Sequence, residues 1–75
     1  KYIAPGGKSG LVQPHSGEEF IWVMKGTLKV TLGPNKYILT DGDSVYFQAE
    51  QTHSWENVGK TECQAMWVMT PPSYS

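Results

Sequence analysis

Two histidines and one glutamate carry the most specific chemical signal in this chain. His15 is followed after three residues by Glu19 and after six more by Gly26, while Gly42 is followed after ten residues by His53 and after three more by Asn57. Imidazole nitrogens and carboxylate oxygens are the donors that divalent transition cations prefer, so His15, Glu19 and His53 are the candidate metal ligands. Groups so far apart in sequence meet only if the strands carrying them close around a common interior. Spacing alone leaves a second reading open, because a histidine that follows a turn is often a solvated or hydrogen-bonded loop residue.

The elements that must position these residues are strands. Turn signals recur every eight to twelve residues, at Pro5-Gly6-Gly7, Gly26, Gly33-Pro34-Asn35, Asp41-Gly42-Asp43 and Val58-Gly59-Lys60, and β-branched and aromatic residues dominate the runs between them. This is the all-β pattern of a sandwich or barrel, with seven strands and no helix. Leu28, Val30 and Leu32 alternate with Thr27, Lys29 and Thr31, which predicts one buried and one solvated face, and Tyr37 and Leu39 continue the buried face past a hairpin. If Glu19 points inward, the period of two turns Ile21 and Val23 inward with it, and Glu18, Phe20 and Trp22 outward. A register slip of one residue would exchange Glu18 and Glu19. His53, Trp55 and Asn57 share a face by the same rule.

Phe20 to Met24 is apolar on both parities, as is Met66 to Met69. A strand that is apolar on both faces must be covered on both. Phe20, Trp22 and Met24 are therefore expected to face a second subunit, although a loop or a preceding segment would serve as cover too.

The 75 residues suit one domain spanning 1–75, and a chain this short has a modest core. Lys1 opens it without an initiator methionine and leads straight to a strand end and a turn, so it is expected to be a fragment of a longer chain, lacking one or more N-terminal strands. Six lysines oppose seven acids, for a net charge of −1, and no arginine is present. Without the fork that reads guanine and grips phosphate, direct nucleic-acid binding by these residues is disfavoured. The lysines are scattered and read as solvated surface charge. The single cysteine, Cys63, cannot form an internal disulfide; it reads as a buried, inert thiol in a reducing, cytoplasmic setting. No run is apolar enough to span a bilayer as a helix.

The two spacings resemble the motifs of the cupin superfamily over nearly the whole chain. Gln13-Pro14-His15, Glu19 and Gly26 match the first motif with Gln13 in its leading histidine position; Gly42, His53 and Asn57 match the second, with Gln48 and Glu50 in place of its proline and glycine. The resemblance implies a small jelly-roll β-barrel and a metal site of His15, Glu19, His53 and Gln13. Glutamine offers a neutral carbonyl oxygen, so Gln13 is a weaker ligand or acts through water. Zinc is the foremost expectation for the cation, with nickel, iron or manganese as alternatives. The ending Met66-Trp67-Val68-Met69-Thr70-Pro71-Pro72-Ser73-Tyr74 further resembles cupin sensor domains joined to an N-terminal helix-turn-helix in bacterial transcriptional regulators.

That resemblance implies a ligand-sensing domain: a homodimer that binds a small polar metabolite, an amino acid or a carboxylate, and reaches DNA only through an N-terminal domain absent from this chain. Trp55, Trp67, Tyr37 and Val45 are the expected ligand-contacting side chains. A small metal-dependent enzyme, a dioxygenase or isomerase, is the alternative, because fold does not decide activity. Catalysis would need an interior acid or base beyond the ligands, for which Tyr37 is the one weak candidate and core filling its safer role. A purely architectural barrel with a vestigial site is the third reading.

Overall fold

Buried and more exposed residues alternate along Glu18–Met24 and Leu28–Leu32 in the computed structural model, which describes residues 1–71. Seven strands form: β1 (Tyr2–Ile3), β2 (Glu18–Lys25), β3 (Leu28–Leu32), β4 (Asn35–Leu39), β5 (Ser44–Gln48), β6 (His53–Glu56) and β7 (Cys63–Thr70). They pair antiparallel into a four-stranded sheet of order β1-β7-β2-β5 and a three-stranded sheet of order β4-β3-β6. The described residues contain no helix, so none is long and apolar enough to cross a membrane.

The inner faces of the two sheets share one core. Ile3, Ile21, Val23, Phe47, Cys63 and Ala65 come from the larger sheet, and Leu28, Val30, Leu32 and Leu39 from the smaller. Removing these side chains from water is the main driving force for closing the sheets, at about 25 cal/mol per Å² of apolar surface. β2 lies between β7 and β5, and its inward residues Glu19, Ile21 and Val23 are buried on the face turned toward the smaller sheet, while Phe20 and Trp22 face out, as the period of two requires.

Tyr37 departs from expectation. It stands opposite Val30 in the β3–β4 ladder, yet β4 is an edge strand of the smaller sheet; Tyr37 is 44% exposed and is not core filling. Periodicity reports which face a residue takes and not whether that face is covered.

Two motif residues serve the scaffold. Gly26 lies at φ +102°, and a Cβ there would stand 2.9 Å from the Cα of Cys63; its amide donates to Asp41 Oδ1 at 2.7 Å, tying the β2–β3 turn to the β4–β5 turn. Asn57 is fully buried and donates from Nδ2 to the carbonyls of Ile3 and Thr61, while its Oδ1 accepts from Gly59 N–H. One side chain therefore joins the N-terminal segment to the β6–β7 loop. Replacing Asn57 with Ala should cost about 2–4 kcal/mol in urea unfolding, since two carbonyls and an amide lose their partner at once.

Cys63 is buried and unpaired by disulfide. Burial, and after it the Asp41 carboxylate, push its thiol up. Below the ordinary thiol range both folded and unfolded states are neutral there, and no stability is lost. As pH rises from that range toward the folded value, the unfolded thiol ionises first and stability falls. Cys63→Ala should flatten that alkaline decline in melting curves, and at about pH 8 Ellman's reagent should react with the unfolded chain but not the folded one.

Candidate metal centre

Three segments bring the candidate ligands together. Glu19 is the second residue of β2, facing inward across the ladder from Phe47 on β5 and Met69 on β7. His53 opens β6 opposite Leu32, and its carbonyl accepts from Val12 N–H. His15 lies in the loop before β2, which is pinned by backbone bonds from His15 N–H to Ala49 O and from Ala49 N–H to Gly17 O. Gly17, at φ +117°, lets the loop pass close to β7, where a Cβ would collide with the Thr70 carbonyl oxygen.

Glu19 and His53 are each only 5% exposed, whereas the His15 side chain is 45% exposed. Glu19 Oε2 lies 2.9 Å from His53 Nε2 and 3.1 Å from His15 Nε2. On the far side of each ring, Nδ1 meets a backbone carbonyl, Gln51 O at 2.9 Å for His53 and Ser16 O at 3.1 Å for His15. A carbonyl only accepts, so Nδ1 carries the hydrogen, and a neutral ring then turns its Nε2 lone pair toward the carboxylate. Lone pairs facing a carboxylate oxygen repel unless positive charge sits between them, either protons on both rings or a cation.

The two imidazole–carboxylate separations fit a cation. Ligand atoms about 2.1 Å from a metal and about 90–110° apart are separated by about 3.0–3.4 Å, close to both imidazole–carboxylate distances found here. One ligand atom from each of the three residues falls within 4.8 Å of the others. The Nδ1–carbonyl bonds are the outer-shell contacts that orient a metal-binding imidazole, and Phe47 supports the His53 ring at a centroid distance of 5.2 Å.

The triad forms part of the wall of a cavity of about 470 Å³, within the range of small-molecule sites. Trp55 and Trp67 line it too, with ring centroids 5.5 Å apart at 60°. Tyr37 and Val45 are not in that wall: Tyr37 stands on the open edge, and Val45 packs against the core. Gln13 is exposed and also outside the wall. Its loop turns inward two residues later, at His15. Glu18 points outward and accepts from Tyr46 O–H at 2.6 Å.

Sequence reasoning missed Lys1, which it counted among solvated charges. Its Nζ lies 5.1 Å from the Trp55 ring centroid and 4.8 Å from that of Trp67, and it joins the cavity wall. It also missed the Gln51 and Ser16 carbonyls, which carry no side-chain signature.

Residues 2–69 match the family model described as cupin domain. The chain belongs to the cupin family. It is 28% identical over 71 residues to an uncharacterized protein of Methanocaldococcus jannaschii, covering 93% of this chain and 57% of that protein, so the chain spans little more than half of that relative's length. It is similar to the cupin domain of an XRE family transcriptional regulator from Enterobacter cloacae, with TM-score 0.84 and 22% identity over 96% of this chain and 77% of that one. It is likewise similar to a predicted oxalate decarboxylase from Thermotoga maritima, with TM-score 0.82 and 22% identity over 91% of this chain and 59% of that one. At such identities these structures share the cupin fold. Neither transfers an activity.

Zinc titration by calorimetry separates the inner ligands from Gln13. His53→Ala and Glu19→Ala should each weaken zinc binding by roughly 100-fold or more, while Gln13→Ala should leave it within about twofold.

Proposed function

We propose that this cupin domain is a ligand-sensing module of a transcriptional regulator. His15, Glu19 and His53 would hold a divalent transition metal, zinc foremost, and a small polar metabolite would occupy the cavity against Trp55 and Trp67. When bound, the metal supplies a Lewis-acidic point that holds an anionic head group. The aromatic pair takes the less polar part of the metabolite.

The observation that carries this reading is the composition of the cavity wall. Among the described residues its ionisable side chains are Lys1, His15, Glu19 and His53, so beyond the triad one amine is left there for proton transfer. A turnover site needs an acid or base placed against the substrate, and this wall is better equipped to bind than to react. Similarity to a regulator's cupin domain supports the same reading.

Sensing also needs a surface that reads the site, and β2 offers one. Glu19 faces the cavity, and its chain neighbours Phe20 and Trp22 belong to an exposed apolar face with Met24, Met66 and Val68. Trp22 is 38% exposed and pairs with Met66 across the ladder, as Phe20 pairs with Val68. Beside them, Tyr46 and Glu18 form a polar rim in which the hydroxyl donates to the carboxylate, holding the phenol above its usual range. Apolar centre and polar rim are the anatomy of a protein interface, and a second copy of this chain is its proposed occupant. A displacement of β2 at Glu19 would pass directly to the dimer contact, and from there to DNA-binding heads carried by an N-terminal domain, in the cytoplasm.

Light scattering on the eluting protein should give a dimer mass for the wild type and a monomer mass for Trp22→Lys, with strand content unchanged by circular dichroism. A monomeric wild type would sink the dimer. A dimer whose small-angle scattering stays the same through zinc removal and addition of candidate carboxylates would sink the sensing mechanism.

A further inference from the structure

Lys1 is the cavity's unexplained group. Its ammonium rests over the faces of Trp55 and Trp67, a favourable place for a cation, and among the described residues no carboxylate pairs with it. By contrast, Lys29 is paired with Glu56 at 3.4 Å. The backbone holds Lys1 in place: its main-chain nitrogen donates to Ala65 O at 2.9 Å, extending the β1–β7 ladder by one step, and the next residue, Tyr2, pairs with Gln64. The side chain is thus anchored from a sheet edge and aimed at the cavity's aromatic end.

The triad and the aromatic pair are displaced along the strands. Trp55 is two residues beyond His53 on β6, and Trp67 pairs with Ile21, two residues beyond Glu19 on β2. Two strand steps amount to about 6.5–7 Å, so the metal ligands and the cation-bearing aromatic pair stand at different levels of one cavity. Apolar side chains, Ile21 and Val30 among them, line the same cavity.

We propose that the ligand of this site is a short dicarboxylate, one carboxylate meeting the metal and the other meeting Lys1 Nζ, with its methylene chain against the apolar wall. This rests on the metal reading given above. A divalent ion beside one carboxylate leaves one positive charge, and Lys1 adds a second, so a dianion neutralises the cavity while a monoanion leaves Lys1 unanswered. An amino acid is disfavoured, because its ammonium would enter a cavity already positive at both levels. The strand separation suits a spacer that gives about four to six carbons in all.

Calorimetry on the zinc-loaded protein tests this with glutarate and pentanoate, which share a five-carbon chain and differ in the second carboxylate. Glutarate should bind the wild type at least about tenfold tighter than pentanoate, Lys1→Met should bring the two within about twofold, and Lys1→Arg should keep most of the preference. The zinc affinity of each variant, read in the same titrations, reports whether the triad is intact. Zinc uptake with equal binding of the two acids, or a preference that survives in Lys1→Met, overturns the dicarboxylate and leaves the metal reading standing. Failure to take up zinc overturns the metal reading, and the proposal with it. Choline binding more tightly than glutarate would mark Trp55 and Trp67 as a cage for an incoming cation, and would also overturn the proposal.

Discussion

A carboxylate removed from water between two imidazole nitrogens is the constraint on which this molecule turns. Glu19 lies in the larger sheet, on a strand with neighbours on both sides, and it is 5% exposed in the wall of the cavity. A buried charge is tolerated where it is paired, and the pairing here comes from two segments distant in sequence, the loop before β2 and the start of β6. Chain closure and site assembly are therefore one event: the triad does not exist until β6 has docked through β3 and the loop has locked onto Ala49.

The division of labour among the motif residues follows from that constraint. Glu19 and His53 supply donor atoms. Gly26 and Asn57, equally prominent in the sequence spacing, are not in the wall that holds the triad and act on the chain itself, one by allowing the β2–β3 turn to pass close to the start of β7 and the other by making three hydrogen bonds. The Gln51 and Ser16 carbonyls finish the work by deciding which ring nitrogen faces inward. The candidate metal centre of this small domain draws on backbone carbonyls as well as on side chains.

Strand content, the inward parity of Glu19 and the outward parity of Phe20 and Trp22 were legible in the sequence, because a period of two leaves few choices once one buried position is right. The pairing of His15 with a distant His53 was legible through motif spacing. Three things were hidden, each for a physical reason. Tyr37 obeys the alternation but sits on an edge strand, and coverage depends on the order of strands in space. Gln13 shares its loop with His15, yet the loop is irregular and no periodicity says which residues turn inward. Lys1 resembles any surface lysine until the sheet edge is known to place it over two indoles. The described residues end at 71, so the tail resemblance through Pro72, Ser73 and Tyr74 lies outside them.

The unequal burial of the three donors has a kinetic meaning. His53 and Glu19 belong to strands of a packed core, while His15 is half exposed on a loop at the cavity's mouth. An ion held by all three would come and go past the outermost imidazole, which can swing aside without disturbing either sheet. Residence time would then be governed by one loop, and selectivity among cations by the two buried donors behind it. Altered fastening of residues 13–17 would change how quickly the centre exchanges its ion while leaving its preference intact.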